Sequence, residues 1–150
     1  MNTLQTPTTL LLVDDDPNMV RLLAKLIERS CVDQLKMETL TDSAAALERI
    51  DYGGVDILVS DLEMPGVNGL DLLRCAKRRS ASTQVLFLTG HSTQEAIMQA
   101  LELGATDFLL KPAGHEELLE LIRQAQGRQR RWQHALAATW KQRRTSPTAN

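Results

Sequence analysis

Residues 10–17 read LLLVDDDP, an unbroken apolar run followed by three acids and a proline. An apolar run of this kind is typical of a strand buried on both faces of a parallel sheet. Asp16 followed by Pro17 is typical of a helix N-terminus, because Asp caps the first turn and Pro suits it. The stretch therefore predicts a strand that passes directly into a helix, the repeating unit of α/β proteins.

The same arrangement recurs along the rest of the chain. Three further apolar runs each end on a polar residue: Asp61 after residues 55–60, Thr89 after residues 85–88, and Lys111 after residues 108–110. Helical periodicity predicts helices between and after these runs, at about residues 42–50, 68–79 and 93–103 and again from Gly114. In the fourth predicted helix of the chain, at residues 93–103, we expect Ile97, Ala100 and Leu101 to be buried.

One strand differs from the others. Residues 35–39, LKMET, alternate between apolar and polar side chains, which favours a half-exposed edge strand. Of the doubly wound sheet orders, 2-1-3-4-5 places this second strand at an edge and the continuous apolar runs inside. We therefore predict a parallel (βα)5 sheet with helices on both faces.

Charge divides the chain into two parts. The 150 residues carry a net charge of −2. Residues 1–120 hold 10 Lys and Arg against 19 Asp and Glu, or −9, whereas residues 121–150 hold 7 Lys and Arg and no acid, or +7. The acidic body and the basic end are therefore expected to do different jobs.

Composition also excludes some classes of protein. No apolar run approaches the roughly 18 residues of a membrane span, and the polar start of the chain is not typical of a secretory signal. Cys31 and Cys75 are isolated in the sequence, which favours reduced thiols in the core and a cytoplasmic location.

The helical pattern continues well past residue 125. A 4-3-4-3 spacing typical of a short coiled-coil seam, weakened by Gly127 and by the polar Gln129, runs through Leu118, Ile122, Ala125, Gln129, Trp132, Leu136 and Thr139. We predict a compact domain over residues 8–126 and a basic helical extension over residues 127–150, frayed in its last six residues.

The candidate functional residues follow the carboxyl ends of the predicted strands. In a parallel sheet these ends meet at one edge, which would bring Asp14, Asp15 and Asp61 together. Carboxylates 4 Å apart repel by roughly 4 kcal/mol per pair at an effective dielectric near 20, and a hard divalent cation removes that penalty. Oxygen donors without Cys or His favour Mg²⁺. Asp16 is better explained as the helix cap.

The remaining strand-end residues suit phosphoryl chemistry. Asp61, beside a metal ion, could act as a nucleophile and form an acyl phosphate. Thr89 could donate its hydroxyl to a phosphoryl oxygen, and the ammonium of Lys111 could neutralise charge on the transferred group. A cis bond between Lys111 and Pro112 would aim that ammonium across the crevice.

Together these motifs resemble the receiver domain of two-component response regulators, the switch domains of bacterial signalling. The matching stretches are residues 11–17, 56–66, 88–90 and 104–112, in the family's order and spacing, and the resemblance covers about residues 8–126. It implies a flavodoxin-like three-layer sandwich with sheet order 2-1-3-4-5, here followed by an extended C-terminal helix.

The resemblance implies a metal-dependent phosphoacceptor site. Asp61 matches the phosphoacceptor. Asp14 and Asp15 match the acidic pair that holds Mg²⁺, or Mn²⁺ in its place, with Asp15 as the direct ligand and Asp14 acting largely through water. Glu63 matches the position whose backbone carbonyl completes the metal shell.

The resemblance also implies a switch. Thr89 and Lys111 match the residues that grip the phosphoryl group, and Phe108 matches an aromatic residue that turns inward as the threonine moves. Because Phe108 has no hydroxyl, its switching should be purely steric. Gly90 and Ala113 depart from the family, which more often has Ala and an aromatic residue there.

The implied partners are proteins. A sensor histidine kinase or phosphotransfer protein would supply the phosphoryl group. The output would be a downstream protein target or a homodimer, formed through the fourth helix, fifth strand and fifth helix and the extended helix. The resemblance implies catalysis of the domain's own phosphorylation and dephosphorylation only, and no membrane contact.

Two other functions compete with this interpretation. A haloacid-dehalogenase-type phosphatase also uses Mg²⁺ and an aspartyl phosphate, and residues 14–16 contain its D-x-D pattern. It needs acidic ligands after the lysine, however, and would leave Asp61 without a role. The basic end, with Trp132 and Trp140, could instead bind nucleic acid, but its charges are scattered around the helix, so a solvated helix that dimerises or docks on a protein is favoured.

Overall fold

The computed structural model describes residues 6–30, 32–111 and 114–145. Strands and helices alternate throughout: β1 Thr8–Val13, α1 Pro17–Glu28, β2 Leu35–Leu40, α2 Ser43–Tyr52, β3 Ile57–Ser60, α3 Gly69–Arg79, β4 Gln84–Thr89, α4 Gln94–Glu102, β5 Asp107–Leu110 and α5 His115–Thr145. Neighbouring strands are all parallel, and their order is β2-β1-β3-β4-β5. The predicted order is confirmed, with the alternating strand β2 at one edge and β5 at the other.

The sheet separates two hydrophobic clusters, which confirms the three-layer sandwich. Along β1, Leu11 and Val13 pack with α2, α3 and α4, whereas Leu10 and Leu12 pack with α1 and α5. This alternation follows from the two-residue period of a strand. The inner strands β1, β3 and β4 need apolar side chains on both faces, which explains their continuous apolar runs.

Local signals in the sequence set the helix starts. The Asp16 side chain accepts a hydrogen bond from the Asn18 N–H at 2.9 Å, and Pro17 opens α1, as predicted. At α3, Asn68 and Asp71 form a reciprocal capping box, each side chain accepting from the other's backbone N–H at 3.0 Å. These caps fix the points at which the chain leaves the sheet edge.

The prediction that Leu101 is buried is wrong. Its side chain is 66% exposed, whereas Ala100 is buried. The short helix α4 turns Ala96 and Ala100 toward the core, and Leu101 lies about 100° further round the helix. Periodicity over nine residues did not distinguish these two faces.

The extended C-terminal helix is present as one continuous element, because α5 runs from His115 to Thr145. Residues 118, 122, 125 and 129 of the predicted seam are buried against this chain's own sheet, while residues 132, 136 and 139 are exposed. The division at residue 126 stays a prediction, and the predicted frayed end lies mostly outside the described residues. No helix within the described residues is long and apolar enough to cross a membrane.

Candidate phosphoacceptor site

The carboxyl ends of β1 and β3 bring three acids together. The backbone N–H of Asp61 donates to the Val13 carbonyl at 3.1 Å, which extends the pairing of β1 and β3 beyond the last residue of β3. One carboxylate oxygen from each of Asp14, Asp15 and Asp61 lies within 4.8 Å of the other two. Among the residues that the structure describes, these three form the only acid, His or Cys group with such spacing.

Lys111 supplies positive charge to this cluster from the end of β5. Its Nζ lies 2.9 Å from Oδ2 of Asp14 and 3.6 Å from Oδ2 of Asp61. Its backbone N–H donates to the Thr89 carbonyl at 2.7 Å, which holds the residue at the sheet edge. Burial alone would lower the pKa of Lys111, but its hydrogen bond to Asp14 and the charges of Asp14 and Asp61 outweigh burial and raise the pKa. The ammonium is therefore charged at neutral pH.

The acid cluster holds more negative charge than Lys111 can neutralise. Lys111 supplies one positive charge, whereas Asp14, Asp15 and Asp61 supply three carboxylates. Asp14 is only 3% exposed, with Oδ1 accepting from the Asp16 N–H at 3.0 Å. Partial burial and the charges of Asp14 and Asp61 raise the pKa of Asp15. Oxygen-only donors with an excess negative charge fit a hard divalent cation such as Mg²⁺.

The loop after Asp61 is held in place on both sides. Oδ1 of Asp61 accepts from the Glu63 N–H at 3.3 Å, so the loop backbone folds toward the carboxylate. Gly66 has φ +76°, a left-handed conformation that glycine adopts without strain in the Pro65-Gly66 turn, and the Ser43 hydroxyl donates to the Pro65 carbonyl at 3.3 Å. The role of the Glu63 carbonyl as a metal ligand stays a prediction.

Gly69 lies directly beneath this loop, and the sequence analysis missed it. A Cβ at Gly69 would lie 2.6 Å from the Asp61 carbonyl oxygen and 2.8 Å from both Cα of Leu62 and Cε1 of Phe87. The Gly69 N–H also donates to the Leu62 carbonyl at 2.8 Å. The signal in the sequence was a glycine at the first position of a helix, where it has no propensity advantage.

The predicted switch residues sit on neighbouring strands. Thr89, which is buried, ends β4, and its hydroxyl donates to the His91 carbonyl at 3.3 Å. Phe108 is partly buried in β5, with its ring centroid 6.5 Å from that of Phe87 at an interplanar angle of 55°. Thr89 therefore ends its strand at the edge that holds the acids, whereas Phe108 pairs with Phe87 two residues before that edge. Their switching stays a prediction. Pro112 and Ala113 lie outside the described residues, and so does the isomer of the Lys111–Pro112 bond.

Known proteins share both the sequence pattern and the fold. The family model of the response regulator receiver domain matches residues 10–123. The chain belongs to this family. It is therefore a receiver domain of the kind found in two-component response regulators.

The curated relatives include two bacterial regulators. The chain is 38% identical over 121 residues to the C4-dicarboxylate transport transcriptional regulatory protein DctD of Pseudomonas aeruginosa, covering 79% of this chain and 25% of DctD. It is 32% identical over 118 residues to the nitrate/nitrite response regulator protein NarP of Escherichia coli, covering 79% of this chain and 54% of NarP. The chain thus spans between a quarter and about half the length of these relatives.

Solved structures show the same architecture. A response regulator receiver domain protein from Clostridium thermocellum superposes with a TM-score of 0.74 at 26% identity, covering 82% of this chain and 97% of that chain. The signal receiver domain of an HD domain-containing protein from Pseudomonas fluorescens Pf-5 gives a TM-score of 0.80 at 26% identity, covering 89% and 97%. The resemblance and the fold class drawn from the sequence are confirmed.

Proposed function

We propose that this receiver accepts a phosphoryl group on Asp61 in a Mg²⁺-dependent reaction, and that Mn²⁺ can replace Mg²⁺. The observation that carries the proposal is the convergence of Asp14, Asp15 and Asp61 within 4.8 Å, with the ammonium of Lys111 against two of them. Membership of the receiver family supports it. The donor would be a phosphohistidine on a sensor histidine kinase or phosphotransfer protein.

Each side chain has a defined part in the transfer. A carboxylate oxygen of Asp61 attacks phosphorus in line, an O–P bond forms, and the N–P bond to the donor histidine breaks. The metal would be held by Asp14, Asp15, Asp61 and the Glu63 carbonyl, and when bound it would neutralise charge on the phosphoryl oxygens. Lys111 neutralises further charge on the transferred group. Water later cleaves the acyl phosphate and regenerates the Asp61 carboxylate.

Phosphorylation would then change a protein-binding surface. The modification adds about −1.5 to −2 charges. We expect the Thr89 hydroxyl to leave the His91 carbonyl for a phosphoryl oxygen, and Phe108 to turn inward into the space that this opens. The altered surface would be formed by α4, β5 and α5, and it would bind a downstream protein or a second copy of the chain. Coupling of this kind is typically about 1–3 kcal/mol, so the switch biases an equilibrium.

The proposal describes a signalling domain. The chain would catalyse only its own phosphorylation and dephosphorylation. The buried free thiol of Cys75 suits a reducing compartment and supports a cytoplasmic location. Neither nucleic acid nor membrane is part of the proposed function.

The decisive experiment is labelling with acetyl phosphate. Wild-type protein with Mg²⁺ should gain one acid-labile phosphoryl group, and Asp61→Asn should gain none, because its amide is not a nucleophile. Asp16→Asn is the matched control, since Asn caps a helix as well as Asp and the residue lies outside the metal cluster. Equal labelling of wild type and Asp61→Asn would refute the proposal.

A further inference from the structure

A cavity of about 470 Å³ lies between α1 and α5. α1 lines it with Leu22, Leu23 and Leu26, β4 with Leu88, and α5 with Leu118. Cavities of roughly 300–1,000 Å³ with mostly apolar walls are typical sites for small molecules. Because three elements line it, the cavity is concave and can surround a ligand on several sides. The proposed phosphoryl transfer uses none of these five leucines.

The α1 wall of the cavity keeps apolar side chains within reach of solvent. Leu22 is 52% exposed, whereas the neighbouring Leu23 is 7% exposed and packs in the core. Met19 and Leu26 are partly buried and also line the cavity. They are three and four residues from Leu22, a spacing that places all three on one side of the helix. α1 therefore has an apolar row beside its core-facing side, and this row borders the cavity.

The polar side chains that line the cavity are all bases. They are Lys111, His91 and His115, which follow the carboxyl ends of β4 and β5 and so lie at the end of the cavity nearest the phosphoacceptor site. No carboxylate is among the described residues that line it, although residues 1–120 carry a net charge of −9. An apolar cavity with basic groups at one end suits a molecule that has an apolar body and one anionic head.

Lys111 belongs both to this cavity and to the phosphoacceptor site. Its Nζ lies 2.9 Å from Oδ2 of Asp14 and 3.6 Å from Oδ2 of Asp61. An ammonium has three N–H donors, so these two contacts leave a donor for a further acceptor. A Cβ at Gly90 would lie 3.8 Å from Cβ and 3.9 Å from Cδ of Lys111. Glycine at residue 90 therefore leaves the stem of Lys111 uncovered on the side of the cavity.

We propose that this cavity binds a small amphipathic carboxylate of the fatty-acid type. The apolar chain lies along the leucines of α1, and the carboxylate accepts hydrogen bonds from Lys111 and His115. An anion in that position competes with Asp61, and with a phosphoryl group on Asp61, for the same ammonium. Bound carboxylate therefore slows phosphorylation, and phosphorylation weakens binding of the carboxylate by the same factor at equilibrium. The cavity would give the domain a second, chemical input.

The test uses octanoate as the probe and the full chain with Mg²⁺ in the buffer. Isothermal titration calorimetry should show one octanoate bound per chain. Octanol lacks the charge and acetate lacks the apolar chain, so each should bind at least about tenfold more weakly. Saturating octanoate should slow acetyl-phosphate labelling of Asp61 about fivefold. The effect on labelling rests on the proposed function, whereas the titration does not, so failure of either proposal is seen separately.

Matched variants locate the probe. Leu22→Ser should weaken octanoate binding about fivefold, because it removes part of the apolar wall. Leu101→Ser is its control, since Leu101 is 66% exposed on α4 and outside the cavity. His115→Glu should weaken binding about threefold through charge repulsion, and an acid suits the first turn of α5. His134→Glu, on an exposed part of the same helix, should bind octanoate as wild type does.

Four outcomes would overturn the proposal. The first is a wild-type dissociation constant for octanoate above about 10 mM. The second is octanol binding as tightly as octanoate, because the cavity would then not recognise an anion. The third is equal weakening by each variant and its control, which would place the probe elsewhere. The fourth is binding of octanoate that leaves the rate of Asp61 labelling unchanged, because Lys111 would then not be shared. An amphipathic helical peptide that binds when octanoate does not would make a protein helix the occupant and would also refute the proposal.

Discussion

A carboxylate stands at each end of β3, and the two have opposite surroundings. Asp56, just before the strand, accepts hydrogen bonds from the Thr9 N–H at 2.9 Å and from Nε2 of Gln129 at 2.8 Å. Asp61, just after it, has the Glu63 N–H at 3.3 Å and shares Lys111 with Asp14. Four residues thus separate a carboxylate with ample donors from one crowded by other carboxylates.

The difference shows how a structural acid can be told from a reactive one. At the edge where the strands begin, which we call the amino edge, burial raises the pKa of Asp56, and hydrogen bonds from the Thr9 N–H and from α5 offset part of that effect. These hydrogen bonds attach the helix to the sheet. At the edge where the strands end, which we call the carboxyl edge, the fold holds Asp14, Asp15 and Asp61 together with too few hydrogen-bond donors to offset their mutual repulsion. Such an arrangement costs stability and persists where function needs it.

The largest expected effect tests whether the carboxyl edge is a metal site. Asp15→Asn should lower Mg²⁺ affinity about 100-fold, or about 2.7 kcal/mol, because it removes one of three converging charges. Isothermal titration calorimetry would measure it. Asp16→Asn, one residue away, should bind Mg²⁺ within about twofold of wild type. Equal loss in both variants would mean that overall charge, and not this cluster, binds the ion.

The next effect concerns the support of the Asp61 loop. Gly69→Ala should destabilise the protein by about 2–3 kcal/mol, because its Cβ meets backbone atoms of residues 61 and 62 that have no space to retreat. Urea unfolding would measure the change, and acetyl-phosphate labelling would report any displacement of Asp61. Wild-type stability in this variant would show that the loop is not held as tightly as the distances indicate.

At the amino edge, removal of the structural acid should cost less. Asp56→Ala should destabilise the protein by about 1–2 kcal/mol, since the Thr9 N–H and the Gln129 amide lose their acceptor. The double variant, Asp56→Ala with Gln129→Ala, should lose less stability than the sum of the two single losses, because both substitutions break the same hydrogen bond. Urea unfolding supplies the values for this cycle. Labelling of Asp61 should stay intact, and its loss would contradict the separation of the two edges.

The smallest effect has the opposite sign. Gly90→Ala should stabilise the protein by about 0.4–1 kcal/mol through the unfolded chain. A Cβ there would lie 3.8 Å from Cβ of Lys111, which is an ordinary contact. Thermal unfolding would show the gain. A melting temperature below that of wild type would mean that the loop after Thr89 needs glycine at residue 90.

Sequence reasoning succeeded where a signal is local. Apolar runs that end on Asp14, Asp61, Thr89 and Lys111 predicted parallel strands that share a common edge. The order of the strands rested partly on the alternating edge strand and partly on the resemblance to the receiver family. The alternating pattern of residues 35–39 was enough to identify the edge strand. The spatial convergence of the three acids followed from topology.

It failed where the outcome depends on distant parts of the chain. Whether Leu101 is buried depends on which face of α4 meets the sheet, and the heptad spacing of α5 could not show where the sheet ends. The contact between Asp56 and Gln129 joins residues 73 positions apart, and the crowding at Gly69 involves three separate elements. Single-sequence patterns carry no information on such pairs.

The continuity of α5 has a mechanical consequence. Its 31 residues make a rod about 46 Å long at 1.5 Å per residue, clamped to the sheet over its first half. A tilt of about 5° at the clamp would move a point some 20 Å beyond it by nearly 2 Å. Small shifts in β3 and β4, which α5 contacts, would therefore produce larger displacements at its far end.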